Sequence, residues 1–133
     1  MLCTDLPLPS AVLRAIRECG YSEATPIQAA AIPQAIEGHD LIASAQTGTG
    51  KTAAFVLPAL TRLQNRSSRS GIGPRVLVLT PTRELAMQVT DAVARYGRGT
   101  RMRFGSILGG MPYPQQVRML RQPIDLLVAT PGR

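Results

Sequence analysis

Apolar residues along the chain follow two rhythms, and the switch between them outlines the elements. Between Leu6 and Cys19, Val12, Leu13 and Ile16 share one face at helical spacing, with Ser10 as N-cap and Gly20 as stop. Residues 20–28, GYSEATPIQ, make a turn and open a second helix, Thr25 as N-cap and Pro26 in the first helical position. That helix carries Ile27, Ala30, Ala31, Ile32, Ala35 and Ile36 to near Gly38, with Pro33 as a kink point. Further helices are expected from Thr52 to about Asn65, from Glu84 to Tyr96 through Leu85, Val89, Ala92 and Val93, and from Pro114 to Leu120. Four short apolar runs read instead as strands: Asp40–Ala45, Arg75–Thr80, Met102–Leu108 and Asp125–Ala129. Residues 66–74, RSSRSGIGP, read as an exposed basic connection, and no internal repeat or low-complexity tract interrupts the pattern.

Strands alternating with helices at these spacings predict βαβ units, hence a parallel sheet with helices on both faces and right-handed crossovers. Ligands of such sheets bind beyond the carboxyl ends of the strands. Four loops fall there: AQTGTGKT (45–52), PTRELA (81–86), the pair Gly109-Gly110, and TPGR (130–133). Each follows one of the expected strands, so all four are expected on one edge.

Composition narrows the class. A chain of 133 residues makes at most one domain and can bury a reasonable core. No apolar run approaches the roughly 18 residues needed to cross a membrane. Asp5 and two early prolines, Pro7 and Pro9, argue against a secretory signal, and a cytoplasmic location is expected. Cys3 and Cys19 have no metal-ligand spacing and read as free thiols, and His39 reads as a solvated loop residue. Net charge +7 arises from fourteen arginines and one lysine against eight acids. A basic balance carried by arginine suits phosphate contacts and favours nucleic acid or another anionic surface as partner.

The single lysine, Lys51, lies in the glycine loop. Strand, glycine loop and helix are the context of a phosphate-binding loop. Gly48 and Gly50 allow positive φ and close approach, and successive N–H groups with the helix N-terminus then face a polyphosphate. Lys51 would lie over the outer phosphates and the Thr52 hydroxyl would hold Mg²⁺. The general pattern begins with glycine where this chain has Ala45.

With GYSEATPIQ upstream, these motifs together resemble the first RecA-like domain of a DEAD-box RNA helicase, over essentially the whole chain. The resemblance implies a P-loop NTPase, RecA-like α/β fold, with residues 1–38 as the helical lead-in of the Q motif and 39–133 as part of the ATP-binding domain. It implies that Gln28 reads the adenine edge, that Tyr21 stacks on the base, and that Thr25, Pro26 and Ile27 seat the Q motif. Ala45, Gln46, Thr47, Gly48, Thr49, Gly50, Lys51 and Thr52 would hold ATP and Mg²⁺, Lys51 and Thr52 serving catalysis. Pro81, Thr82, Arg83 and Glu84, with Gly109, Gly110, Thr130, Pro131, Gly132 and Arg133, match the surface that grips single-stranded RNA by its backbone without reading bases. The paucity of aromatics agrees, with Phe55 and Phe104 expected in the core.

Two departures qualify the match. Cys3 stands where the family usually has a phenylalanine, so weaker adenine affinity is expected. The chain also stops before the DEAD box, its strand and the second RecA-like domain. The sheet is therefore expected to be incomplete, with an open side, and the chain to be a fragment of a longer helicase. Asp125 begins its strand at the wrong edge and Glu84 lies in the RNA-side loop, so hydrolysis by this chain alone is expected to be poor or absent. The alternative is a non-catalytic module that binds adenine nucleotide and RNA.

Overall fold

The computed structural model describes residues 1–65 and 73–132; residues 66–72 of the expected basic connection at 66–74, and Arg133, lie outside the described residues. After a short 3₁₀ turn, Cys3–Asp5, the elements run α1 (Ser10–Glu18), α2 (Pro26–Glu37), α3 (Lys51–Asn65), β1 (Val76–Leu79), α4 (Arg83–Tyr96), β2 (Phe104–Ile107), α5 (Tyr113–Leu120) and β3 (Leu126–Ala129). The α/β class and the helix periods agree with the sequence reading. One start differs. α1 begins at Ser10 itself, with no side-chain cap, because Pro9 is already extended at φ −60°, ψ 153°. The Pro9 carbonyl accepts the first helical bond, from Leu13 N–H at 2.9 Å.

The sheet has three parallel strands in the order β1-β3-β2, with Leu126 opposite both Val76 and Phe104. β3 is buried along its length because neighbours flank it and both its faces are covered. Leu126 and Val128 point into the main core with Val89 and Val93 of α4 and Leu60 of α3. Leu127 and Ala129 point the other way, into a smaller cluster with Ile107, Ile124 and Met119. A continuous apolar run is what a strand buried on both faces requires.

The expected strand at Asp40–Ala45 is not formed. Residues 40–46 adopt no regular structure, and Leu41, Ile42 and Ala43 are exposed. A strand persists only when its N–H and C=O groups meet a neighbour, and this run pairs with none of the three described strands. A cleft of about 1740 Å³, lined by the whole of β1 and by residues of α3 and α4, opens on the free edge of β1. Ligand pockets typically measure ~300–1,000 Å³, so this is the breadth of an unfilled layer more than of a binding pocket. Phe55 and Phe104 are corrected with it. Phe55 on α3 faces the cleft and is 42% exposed, while Phe104 begins the outer strand β2 and is 38% exposed.

At the amino ends of the strands, Asp125 ties three segments. Its backbone carbonyl accepts from Arg75 N–H at 2.9 Å, and its carboxylate accepts from Arg103 N–H at 3.0 Å and from the Arg75 guanidinium at 3.4 Å. Asp125 is thus a brace at the edge opposite the motif loops, as its place at the head of the strand implied.

Candidate functional site

The Thr25-Pro26 start of α2 is a full capping box. The Thr25 hydroxyl accepts from Gln28 N–H, and Gln28 Oε1 accepts from Thr25 N–H at 3.1 Å. The other end of that amide reaches the glycine loop, where Nε2 donates to the Gly50 carbonyl at 3.2 Å. Gly50 has φ +87° and a Cβ there would run into the Gln28 amide and the Thr25 hydroxyl, so glycine is required on two counts. Gln28 therefore uses one amide N–H and one oxygen lone pair within the chain, which leaves one of each for a base.

The loop itself is a turn with Gly48 at φ +83°. The Thr49 hydroxyl donates back to Gln46 O at 2.6 Å, closing the turn. The Gly50 carbonyl also receives Ala54 N–H at 3.1 Å, so α3 starts directly after it and exposes its first N–H groups at the loop. Lys51 is exposed at the first position and Thr52 half-buried at the second. Tyr21, Thr25 and Gln28 line the same cleft as Thr47, Gly48, Gly50, Lys51 and Thr52. The buried Cys3 lines it too, its thiol pushed up from the ordinary pKa by burial, then by the nearby Glu23 carboxylate. Ala45 and Gln46 precede the turn in the irregular segment.

Three of the four motif loops leave the sheet at its carboxyl edge; the glycine loop follows the unpaired segment instead. The ladder continues into two of them. Thr80 N–H donates to Ala129 O at 2.9 Å, and Thr130 N–H donates to Ile107 O at 3.1 Å. PTRELA turns into α4 through Thr82, whose hydroxyl accepts from Leu85 N–H at 3.2 Å, so Thr82 is an N-cap. Glu84 lies exposed in the first turn of that helix, after Pro81. Arg83 is exposed and pairs with no carboxylate among the described residues. Its guanidinium lies against Gly110, where φ is +82°. Gly109 N–H donates to Thr130 Oγ1 at 3.3 Å. Among the described residues a Cβ at Gly109 or Gly132 would meet nothing within 4 Å, so none of them packs so as to demand either glycine. Pro131 and Gly132 are exposed in the turn.

Sequence reasoning missed one residue of this edge. Gln116, in α5, is 2% exposed, and its Nε2 donates to Leu108 O at 2.7 Å, directly before the glycine pair. Its only signal in the sequence is an amide on an otherwise ordinary amphipathic helix. No group of three or more His, Cys, Asp or Glu side chains is gathered for a metal among the described residues.

Residues 25–133 match the family model described as DEAD/DEAH box helicase. The chain belongs to the DEAD/DEAH box helicase family. Relatives agree over nearly its whole length. It is 44% identical over 130 residues to the ATP-dependent RNA helicase SrmB of Escherichia coli, covering 98% of this chain and 29% of that protein. It is 50% identical over 129 residues to the DEAD-box ATP-dependent RNA helicase 28 of Arabidopsis thaliana, covering 97% of this chain and 16% of that protein. It is 42% identical over 125 residues to the ATP-dependent RNA helicase-like protein DB10 of Nicotiana sylvestris, covering 94% of this chain and 21% of that protein. The chain thus spans less than a third of the length of these helicases, and the part it spans carries the glycine loop and the three carboxyl-edge loops.

Proposed function

We propose that this chain binds ATP at the glycine loop and the backbone of single-stranded RNA along the carboxyl edge of its sheet, as part of an ATP-dependent RNA helicase. The observation that carries the reading is the bond from Gln28 to Gly50, which joins the Q-motif helix to the loop that opens α3. Polyphosphate would lie on the N–H groups at the head of α3, with the Lys51 ammonium over its outer oxygens. Tyr21, half-exposed on the cleft wall, offers a ring to the base. Pro81, Thr82, Arg83, Gly109, Gly110 and Thr130 would contact phosphate and sugar, with no base reading.

The Mg²⁺ expected with ATP fits the residues present in a limited way. The Thr52 hydroxyl has no hydrogen-bond partner among the described residues and is available as one oxygen ligand. Mg²⁺ prefers near-octahedral oxygen coordination, so phosphate and water would supply the rest. When bound it would neutralise charge on the outer phosphates.

Within the whole helicase, we propose that ATP binding closes this domain on a second RecA-like domain and strains a short duplex until its strands part. For this chain alone the placement of acids favours binding without turnover. Asp125 braces the opposite edge and Glu84 lies beside the RNA loop.

Titration calorimetry with ATP or ADP and magnesium is the test. Heat is expected for the folded chain and at least about tenfold weaker binding for Lys51→Ala. Folded wild-type chain that gives no heat would refute the reading. RNA affinity should fall with salt at about −0.7 in log–log slope per phosphate neutralised. In the full-length protein, RNA-stimulated ATP turnover should vanish in Lys51→Ala.

A further inference from the structure

The peptide unit joining Leu108 to Gly109 is held at both ends. Its carbonyl accepts from Gln116 Nε2 at 2.7 Å, and its N–H donates to Thr130 Oγ1 at 3.3 Å. One grip comes from α5 and the other from the turn after β3, so two separate elements fix the rotation of this one peptide plane.

The Gln116 grip is costly. The residue is 2% exposed, and its Oε1 has no hydrogen-bond partner among the described residues. A buried carbonyl oxygen without a donor is unfavourable, and an apolar side chain of the same length would avoid it. What the amide supplies and an apolar side chain does not is the bond to Leu108.

The Thr130 end shows what that bond is for. A threonine hydroxyl carries one proton and two lone pairs. Gly109 N–H occupies a lone pair, and no acceptor among the described residues takes the proton. The hydroxyl oxygen is held in place on Gly109 N–H, and its proton is left for a ligand acceptor. Gly109 leaves its outer side open, since a Cβ there would meet nothing within 4 Å among the described residues, and a ligand backbone has access to the clamped plane.

We propose that Gln116 is a positioning residue for RNA: by holding the Leu108–Gly109 peptide it keeps Gly109 N–H on Thr130 and so fixes the place of the Thr130 hydroxyl, whose proton donates to an RNA phosphate. The inference rests on the reading of the carboxyl edge as an RNA-backbone site. Gln116 itself is buried and touches no RNA.

The experiment measures binding of a fluorescein-labelled oligouridine by anisotropy and of a fluorescent ADP with magnesium, in the 133-residue chain. Four proteins are compared: wild type, Gln116→Met, Thr130→Val and the double variant. Gln116→Met is expected to lose about tenfold in RNA affinity, the worth of one hydrogen bond. Its ADP affinity should be unchanged and its thermal midpoint close to that of the wild type, because removing the stranded Oε1 offsets leaving the Leu108 carbonyl without the Gln116 donor. The double variant should bind RNA no more weakly than Thr130→Val. Wild-type RNA affinity in Gln116→Met, or losses that add in the double variant, would overturn the inference while leaving the RNA site standing. A folded wild type that binds no oligouridine would remove the RNA site and the inference with it. Amide exchange of Gly109 in the wild-type chain needs no variant: protection is expected, and exchange at the rate of a free amide overturns the clamp.

Discussion

Gln28 of α2 and Gly50 at the head of α3, 22 residues apart in sequence, are joined by a hydrogen bond of 3.2 Å from the glutamine amide to the glycine carbonyl. The same amide closes the cap of its own helix on Thr25. One side chain therefore couples the stability of a helix start to the shape of the glycine loop. Gln28→Ala should cost about 1 kcal/mol and weaken adenine nucleotide binding by tenfold or more. Gly50→Ala should cost more, since φ +87° is strained for alanine and its methyl group meets Gln28. Thermal melts and calorimetry with ADP test both; a Gln28→Ala chain that binds ADP with wild-type affinity would sever the coupling.

The two glycines after β2 should respond differently to the same change. Gly109 has ordinary φ and open space at its Cβ position, so Gly109→Ala should leave the melting temperature within a degree or two of wild type while reducing oligouridine affinity. Gly110 has φ +82° with the Arg83 guanidinium against it, so Gly110→Ala should destabilise by about 1 kcal/mol. Equal loss of stability in both variants would show that Gly109 is needed for the fold, and its place as a contact surface would fail.

Asp125 predicts a stability defect with no binding defect. Its carboxylate receives Arg103 N–H and the Arg75 guanidinium, and Asp125→Ala leaves both with fewer partners. The Arg75 and Arg103 side chains keep access to water, which limits the loss to about 1–2 kcal/mol. Urea unfolding should show the shift. ADP and RNA affinities should hold, because the brace lies at the amino edge of the sheet.

The free edge of β1 should make the chain self-associate. Leu77 and Leu79 alternate onto the outer face at 57% and 59% exposure, beside backbone groups that pair with β3 on one side alone. Exposed apolar edges template pairing with other chains. Replacing both with lysine should lower the sedimentation-derived average mass at high concentration without lowering the melting temperature. An unchanged distribution would place the association elsewhere or show that there is none.

Alkaline pH should unfold the chain earlier than its carboxylates alone would suggest. Burial holds the Cys3 thiol and the Tyr96 phenol above their ordinary values, with Glu23 adding to the first and Tyr21 to the second. The folded chain thus binds these protons more tightly than the unfolded one. That contribution is complete below the unfolded-state values, about 8.5 and 10, and is lost as pH rises through the folded ones. Melting temperature should fall steadily above about pH 8.5. Cys3→Ala should soften the early part of that fall; an identical profile would show that the thiol plays no part.

Much of the local geometry of the candidate site was legible because it depends on residues close in sequence. Thr25 and Pro26 announce a helix start, and the structure has that cap. Gly48 and Gly50 announce positive φ, and both have it. PTRELA, the glycine pair and TPGR were placed at strand ends by the apolar runs before them, and those three strands formed within a residue or two of expectation. Thr82 carried a second role that the letters did not show, capping α4, since a cap depends on where the helix begins.

What the sequence by itself determined is the content of each segment: its period, its caps, its glycines, its charge and the motifs that mark the family. These depend on residues a few positions apart, whose interactions exist in any copy of the segment. Only the tertiary structure decided which segments found partners. Residues 40–45 have the letters of a strand but no neighbour to bond, while Leu126–Ala129 have two. Gln116 has the letters of a surface residue yet is buried against a peptide eight positions before it. Burial and sheet pairing belong to pairs of elements, so no reading of one element alone can supply them.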